Sequence, residues 1–497
     1  MEDSTIAPML LLCITLALLF LLRHVPARKN QKTGRLPPGP PALLLLAKFL
    51  ALRRPIFDLG PLLHELHAHH GPVISLRLAN THVFVADRHL AHRMLVQGGA
   101  TFADRPPLAD PDRLFSAGGR DINASPYGPY WRLVRRNLAT EALHRSRVSR
   151  FAPARRWACD GLVSNLRVRG GGGDAVTLRP LLLRAMFELL VYMCFGARLG
   201  QEALQEIERL QQHVLLAATS FPVFAFFPAV TKRIFRKRWA AHVAVQRRQD
   251  EVFVPLIHAT RGGDDPPCYA DSLLALRVAD EGDRPLTDAE MSTLCSEFLN
   301  GGTETTVTLL EWIMAELVNR PDVQAKVYAE VNVKPELNDG DLQAMPYLKA
   351  VVLEGLRLHP PSHLVLPHRA QTDVEIGGYT VPRGADVNFM VAEIGRDETA
   401  WAAPLEFRPE RFLDGGEGCD VDITGSREIK MMPFGAGRRI CPGYALGMRH
   451  AGYFMARMVQ ELEWLPAAEG EAVDMTEKLD FTMVMKHPLR ARVIPRN

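Results

Sequence analysis

Pro433-Phe-Gly-Ala-Gly-Arg-Arg-Ile-Cys-Pro-Gly443 sets one cysteine, Cys441, in an unusually specified frame. Pro442 follows it and the run from Tyr444 to Trp464 reads as a helix. Cys441 therefore falls at the expected N-cap, with proline at the first helical position. Unpaired N–H groups and the positive end of the helix dipole favour a thiolate there, lowering its pKa and making the sulfur a competent metal ligand. Gly435, Gly437 and Gly443 remove side chains on both sides, which permits a tight loop and close approach of a flat ligand. Arg438 and Arg439 add positive charge. The plain reading of a lone cysteine is a small buried hydrophobe, but the residues around this one are too particular for it.

The chain of 497 residues exceeds what one hydrophobic core normally serves, yet no repeat or long linker divides it, so one large catalytic unit is expected. A net charge of +3 from 59 basic and 56 acidic residues, without a Lys/Arg tract, argues against nucleic acid as a partner. The seven cysteines are scattered and include no Cys-x-x-Cys pair, which argues against a disulfide framework or a zinc site and for a reducing compartment.

Ile6 to Leu22 is almost wholly apolar. Glu2 and Asp3 precede it, and Arg23, Arg28, Lys29, Lys32 and Arg35 follow. This reads as a short membrane anchor whose basic flank lies on the cytoplasmic side. The acidic start and the lack of a small-x-small cleavage site place a cleaved signal peptide second. Leu36-Pro-Pro-Gly-Pro-Pro41 cannot be helical and is expected to act as a stiff extended spacer.

Val73–Leu78 with Thr81–Ala86, and Val374–Val381 around Gly377-Gly378, read as β-hairpins. Between them run long helical patterns, with loops at Gly170–Gly173, Arg261–Pro267 and Gly415–Gly418, so the chain is mainly α with small β-sheets. Thr287-Asp-Ala-Glu290 is a capping box opening one helix that continues to Asn319, before Arg320-Pro321. In its middle lies Asn300-Gly-Gly-Thr-Glu-Thr-Thr306, where two glycines cost about 1 kcal/mol each relative to alanine. Such a cost suggests a groove, with Glu304 and Thr305 placed to disturb or bridge the backbone ladder beside it. A kinked structural helix is the plainer alternative. Trp131 and Arg135, four apart, share a helix face. Phe221–Val230 is an apolar stretch with two prolines and a basic sequel from Lys232 to Arg238, either buried or dipping into a membrane.

Phe434, Gly437, Arg439, Cys441 and Gly443 match in spacing and identity the haem loop Phe-x-x-Gly-x-Arg-x-Cys-x-Gly, and the chain resembles the cytochrome P450 family. Met345-Pro-Tyr-Leu-Lys349 and Met431-Met-Pro-Phe434 look most like its plant A-type branch, in particular family eighty-nine. The connection from Val331 to Met345 looks shorter than is usual there. The resemblance implies the P450 fold with an N-terminal membrane anchor at 1–22, a basic and proline-rich hinge at 23–41 and a haem-binding catalytic domain at 42–497.

It further implies haem b with Cys441 as the axial thiolate, and Trp131, Arg135, Arg439 and His368 at the propionates. His368 reads equally as a solvated loop histidine. Glu304 and Thr305 match the Ala/Gly-Gly-x-Asp/Glu-Thr-Thr signature, whose acid and threonine handle oxygen and protons. Glu354, Arg357 and Arg411, from Glu-Gly-Leu-Arg and Phe-Arg-Pro-Glu-Arg-Phe, would form a buried triad fixing the segment that leads to Cys441.

The implied reaction is monooxygenation of a hydrophobic or amphipathic small molecule, with electrons from NADPH through NADPH–cytochrome P450 reductase. The implied place is the endoplasmic reticulum membrane, single-pass, with the catalytic domain cytoplasmic. The Asn123-Ala-Ser125 glycosylation triplet would then stay bare. Two rivals share the haem loop: an O2-independent enzyme that rearranges hydroperoxides, whose members lose the acid and threonine pair, and a non-enzymatic haem carrier or sensor. Arg113–Ser125, Ser362–Leu366 and Phe481–Met485 are the expected pocket segments.

Overall fold

The computed structural model describes residues 34–41, 60–77, 80–225, 227–261 and 266–496. The expected anchor at 1–22 lies outside them. No helix among the described residues is long and apolar enough to cross a membrane.

The helix Asp288–Asn319 runs through the core, apolar and buried on every side for most of its length, as a helix surrounded by others must be. Both halves of its capping box are made. Glu290 N donates to Thr287 Oγ1 at 3.2 Å, and Thr287 N to the Glu290 carboxylate at 2.8 Å. Pro321 opens the next helix, Pro321–Val331, which stops the first. Two glycines let neighbouring helices approach closely. A Cβ at Gly302 would lie 2.8 Å from Leu190 of the helix Arg179–Phe195, and one at Gly355 would lie 2.5 Å from Ile313, against the helix Pro346–Leu358.

Both expected hairpins are present. Val73–Arg77 pairs antiparallel with Thr81–Val85, and Val374–Ile376 with Tyr379–Val381 through Gly377 and Gly378, both at positive φ. The first hairpin belongs to a four-stranded sheet completed by Asp386–Phe389, parallel to Thr81–Val85, and then His368–Arg369.

Three expectations need correction. The helix after the cysteine loop spans Tyr444–Glu461, not to Trp464; Leu462–Pro466 is a strand paired with Arg490–Pro495. Trp464 N donates to the side chain of Gln324, which returns a bond to Trp464 O, both at 2.9 Å, so a distant contact overrides local helical preference. Gly443 is the N-cap of that helix, placing Cys441 two residues before the cap and not at it. The proline segment is extended but is no free spacer. Ser75 donates through N to Pro38 O at 2.7 Å and through Oγ to Pro37 O at 2.6 Å, and a Cβ at Gly39 would lie 1.8 Å from Ser75 O.

The short connection before Met345 is organised by Asn338, whose side chain caps the helix Asp339–Gln343, and by the Glu330 carboxylate, which accepts from Tyr347 N and Leu348 N. Of the stretch 221–230, Val223 and Phe224 are buried, the latter edge-on to Trp239, whereas Val230 is exposed beside the basic residues that follow.

Candidate active site

The cysteine loop is a tight turn of the kind its glycines foretell. Gly435 and Gly437 adopt positive φ, and a Cβ on Gly437 would fall 1.9 Å from Leu95 O, so no other residue fits there. Cys441 N donates to Phe434 O at 2.8 Å, closing the loop. The thiol environment differs from expectation. Loss of hydration pushes its pKa up, with the Gly443 N–H and the charge of Arg135 opposing. From two residues before the cap the sulfur meets one N–H and not the whole helix end, so its deprotonation falls to a bound metal. The described cysteines are all free; Cys159, Cys194, Cys268 and Cys295 are buried and Cys419 is exposed.

Beside this loop lies a cluster of cations. The Arg439 guanidinium stacks 4.3 Å from the centre of the Trp131 indole, and that of Arg135 lies 6.0 Å from it. Arg135 donates to Ile440 O, tying its helix Pro129–Asn137 to the residue before Cys441. Arg439 donates to Ala103 O, Ile122 O and Ser125 O at 2.7, 3.0 and 2.6 Å, and Trp131 Nε1 to Ile122 O at 3.1 Å.

Arg105 completes the cluster and was not anticipated. It donates to Asn123 O, Leu366 O and Pro367 O at 2.7 to 2.9 Å. Burial, then repulsion from Arg439, pushes Arg105 down to about 9. Arg439 is pushed down to about 10 by burial, with Arg135 adding repulsion against the attraction of Asp104. Its only sequence signal was a charged pair, Asp104-Arg105, inside an otherwise apolar and proline-rich stretch.

His368 sits in this region, buried, with Nδ1 2.6 Å from Phe102 O, to which it must donate. Burial and the nearby Arg105 push its pKa down to about 3, so the ring is neutral and Nε2 carries a lone pair. The solvated-loop reading is therefore replaced by a buried one.

Thr305 donates to Gly301 O at 2.7 Å and Thr306 to Gly302 O at 2.8 Å, back-bonding across the glycine pair. A Cβ at Gly301 would meet nothing within 4 Å, so only this glycine opens a groove; Gly302 serves packing. Glu304 is held by an arginine from a neighbouring helix. Its Oε2 lies 2.6 Å from Arg179 Nη2, and the other Arg179 nitrogen reaches Glu311 at 3.0 Å. Glu304 also lines a cavity of about 20 Å3 with Asn300, Thr303, Glu208, Gln211 and Gln212, room for one water. Arg179 lies 125 residues from Glu304 in sequence and carried no motif.

The triad is assembled and fully buried. Arg357 binds the Glu354 carboxylate through two nitrogens at 2.6 and 2.8 Å, and Arg411 Nε reaches it at 3.1 Å. Further guanidinium hydrogens go to the carbonyls of Gly395, Ala402, Ala403, Pro404 and Glu406 and to the Glu417 carboxylate, so these charges tie the helix Pro346–Leu358 to the 395–417 segment. Two of the expected pocket segments meet the long helix, and the second of these also reaches the residue just before the third. Thr293 bonds Phe115 O, Thr308 bonds Thr482, and Met483 N donates to Pro361 O.

A family model described as Cytochrome P450 matches residues 37–495. Cytochrome P450 89A9 of Arabidopsis thaliana is 43% identical, covering 93% of this chain and 94% of its own. The chain belongs to the cytochrome P450 family. The match to a family-89 member agrees with the branch expected from Met345–Lys349 and Met431–Phe434.

Flavonoid 3'-monooxygenase of Arabidopsis thaliana is 31% identical, covering 98% of this P450 and 97% of its own chain. A solved zebra fish cytochrome P450 with abiraterone superposes with a TM-score of 0.73 at 25% identity, covering 88% of this chain and all of that one. The fold is the P450 fold, mainly helical with small sheets, and the protein is an oxygen-incorporating oxidoreductase.

The family implies haem, and the residues fit it. Three mutually repelling guanidiniums suit two carboxylates, a loop sulfur receives an N–H, and Gly301 leaves clearance on the helix bearing Thr305.

Proposed function

We propose that this P450 inserts one oxygen atom of O2 into an apolar or amphipathic small molecule. NADPH supplies two electrons through NADPH–cytochrome P450 reductase, and the second oxygen leaves as water. The balance is RH + O2 + NADPH + H+ giving ROH + H2O + NADP+. The single observation that carries this reading is the joint presence of the glycine-framed Cys441 and the Thr305 and Glu304 pair, since hydroperoxide rearrangement or haem carriage needs only the first.

Haem held by Cys441 supplies the oxygen-activating redox chemistry. Arg105, Arg135 and Arg439 would bind and orient its carboxylates, with the Trp131 indole stacked on Arg439. Thr305 would turn its hydroxyl from Gly301 O to donate to reduced oxygen. Glu304, beside its one-water cavity, would pass protons inward from solvent. The apolar pocket segments would exclude water from the reacting carbon.

The same reading places an anchor at 1–22, a basic linker from 23 to the docked proline segment, and the catalytic domain on the cytoplasmic side of the endoplasmic reticulum. The basic flank from Arg23 to Arg35 supports this orientation.

The test is spectroscopic and kinetic. Reduced, CO-bound protein should show the red-shifted thiolate Soret band, and Cys441→Ala should lose it. Reconstitution with reductase should consume NADPH and O2 in the presence of an accepted substrate. Retention of the band by Cys441→Ala, or no reductase-dependent O2 uptake across a panel of ligands that shift the Soret band, would reject the proposal.

A further inference from the structure

Ile122 C=O and Asn123 N–H belong to one peptide unit, and in a trans unit they point in opposite directions. On one side, Asn123 N donates to Glu297 Oε1 at 2.7 Å; Ile122 N donates to the other oxygen, Oε2, at 2.8 Å. On the other side, Ile122 O accepts from Trp131 Nε1 and Arg439 Nη1. The Glu297 carboxyl, which burial and Asp121 push up to about 8 against these two N–H bonds, therefore sits at the positive end of the peptide dipole, and a guanidinium and an indole N–H at its negative end. Each bond polarises the next in the same sense.

We propose that Glu297 is a positioning residue for the anion-binding cluster, orienting through this peptide the acceptor that holds Trp131 and Arg439. The neighbouring units are held in the same orientation, with Asn123 O on Arg105 and Ser125 O on Arg439. Without the carboxylate, the N–H groups of Ile122 and Asn123 lose their acceptor, and rotation of the peptide toward another would take Ile122 O off both partners. Glu297 stands four residues before Gly301 and eight before Thr305, on one face of the long helix. One carboxylate thus couples the helix bearing the oxygen-handling threonine to the residues that would grip the haem carboxylates. Neither the haem loop nor the glycine-threonine segment includes it.

The inference rests on haem being the bound group, so the CO spectrum of the wild type is recorded first and judges that reading separately. The test is the rate at which purified holoprotein loses haem to excess apomyoglobin, for wild type, Glu297→Gln and Glu297→Asp. A control variant is Glu316→Gln, which disturbs a buried His359 pair elsewhere on the same helix.

Gln keeps the shape but offers one acceptor oxygen and turns an NH2 toward an N–H. Its haem loss should be faster by about tenfold. Asp keeps both acceptor oxygens on a shorter stem and should fall between Gln and wild type. Thermal midpoints are measured alongside. A wild-type rate for Glu297→Gln overturns the proposal, and so does equally fast loss from Glu316→Gln at a matched drop in midpoint. Should Glu297→Gln yield no folded protein, Glu297→Asp decides alone: accelerated loss supports the proposal and a wild-type rate overturns it.

Discussion

Arg179 Nη2 lies 2.6 Å from Glu304 Oε2, joining the acid of the glycine-threonine segment to a helix that begins 125 residues earlier. Burial pushes the Glu304 carboxyl up and Arg179 pulls it back. In Arg179→Gln the upward influences of burial, Asp480, Glu311 and Glu208 act unopposed by that cation, so the pKa rises further. A step that uses the carboxylate is available above its pKa and lost as pH falls through it. The acid limb of product formed per NADPH should therefore move to higher pH. A profile identical to wild type would show that Arg179 does not govern Glu304.

Thr305→Ala should leave haem content and substrate binding intact while diverting reduced oxygen to hydrogen peroxide, because the hydroxyl that donates to it is gone. Peroxide released per NADPH should rise and product per NADPH should fall. Unchanged product yield would remove Thr305 from proton delivery.

The two glycines of the long helix should respond oppositely to alanine. At Gly301 the new methyl meets nothing, so Gly301→Ala should gain up to about 1 kcal/mol of helix propensity and raise the thermal midpoint. At Gly302 it would press on Leu190 at 2.8 Å, offsetting that gain. Equal midpoints for the two variants would show that Leu190 gives way freely.

Orientation can be read by proteolysis. In sealed microsomes the body should be digested without detergent, and Asn123, whose side chain is exposed, should carry no sugar. A protected, full-length body would overturn the cytoplasmic placement.

Much of this was legible in local sequence because the physics was local. The Thr287/Glu290 box, the Gly377-Gly378 turn and the positive-φ glycines of the cysteine loop each act within a few residues. The triad was legible because two short phrases mark its ends. Arg105, Arg179 and Glu297 were not, because their partners lie on remote segments. The early end of the helix at Glu461 has the same cause, since Gln324 claims the backbone of Trp464 from 140 residues away. The thiol environment was misjudged by two residues of register. A cap position is set by backbone geometry, which proline and glycine spacing alone left ambiguous.

The docking of Pro37 and Pro38 against Ser75, with Arg35 O accepting from Thr380 N at 2.9 Å, has a mechanical consequence. The chain leaves the body at a mooring stitched to strands of two separate sheets, and not through a swivel. Under the proposed anchoring, the tether between bilayer and enzyme is shortened to the residues before Gly34. The tilt of the body relative to the lipid surface is then constrained by these stitches as well as by the exposed apolar surface at Val230. Replacing Ser75 by alanine would remove one of these stitches without touching the haem loop.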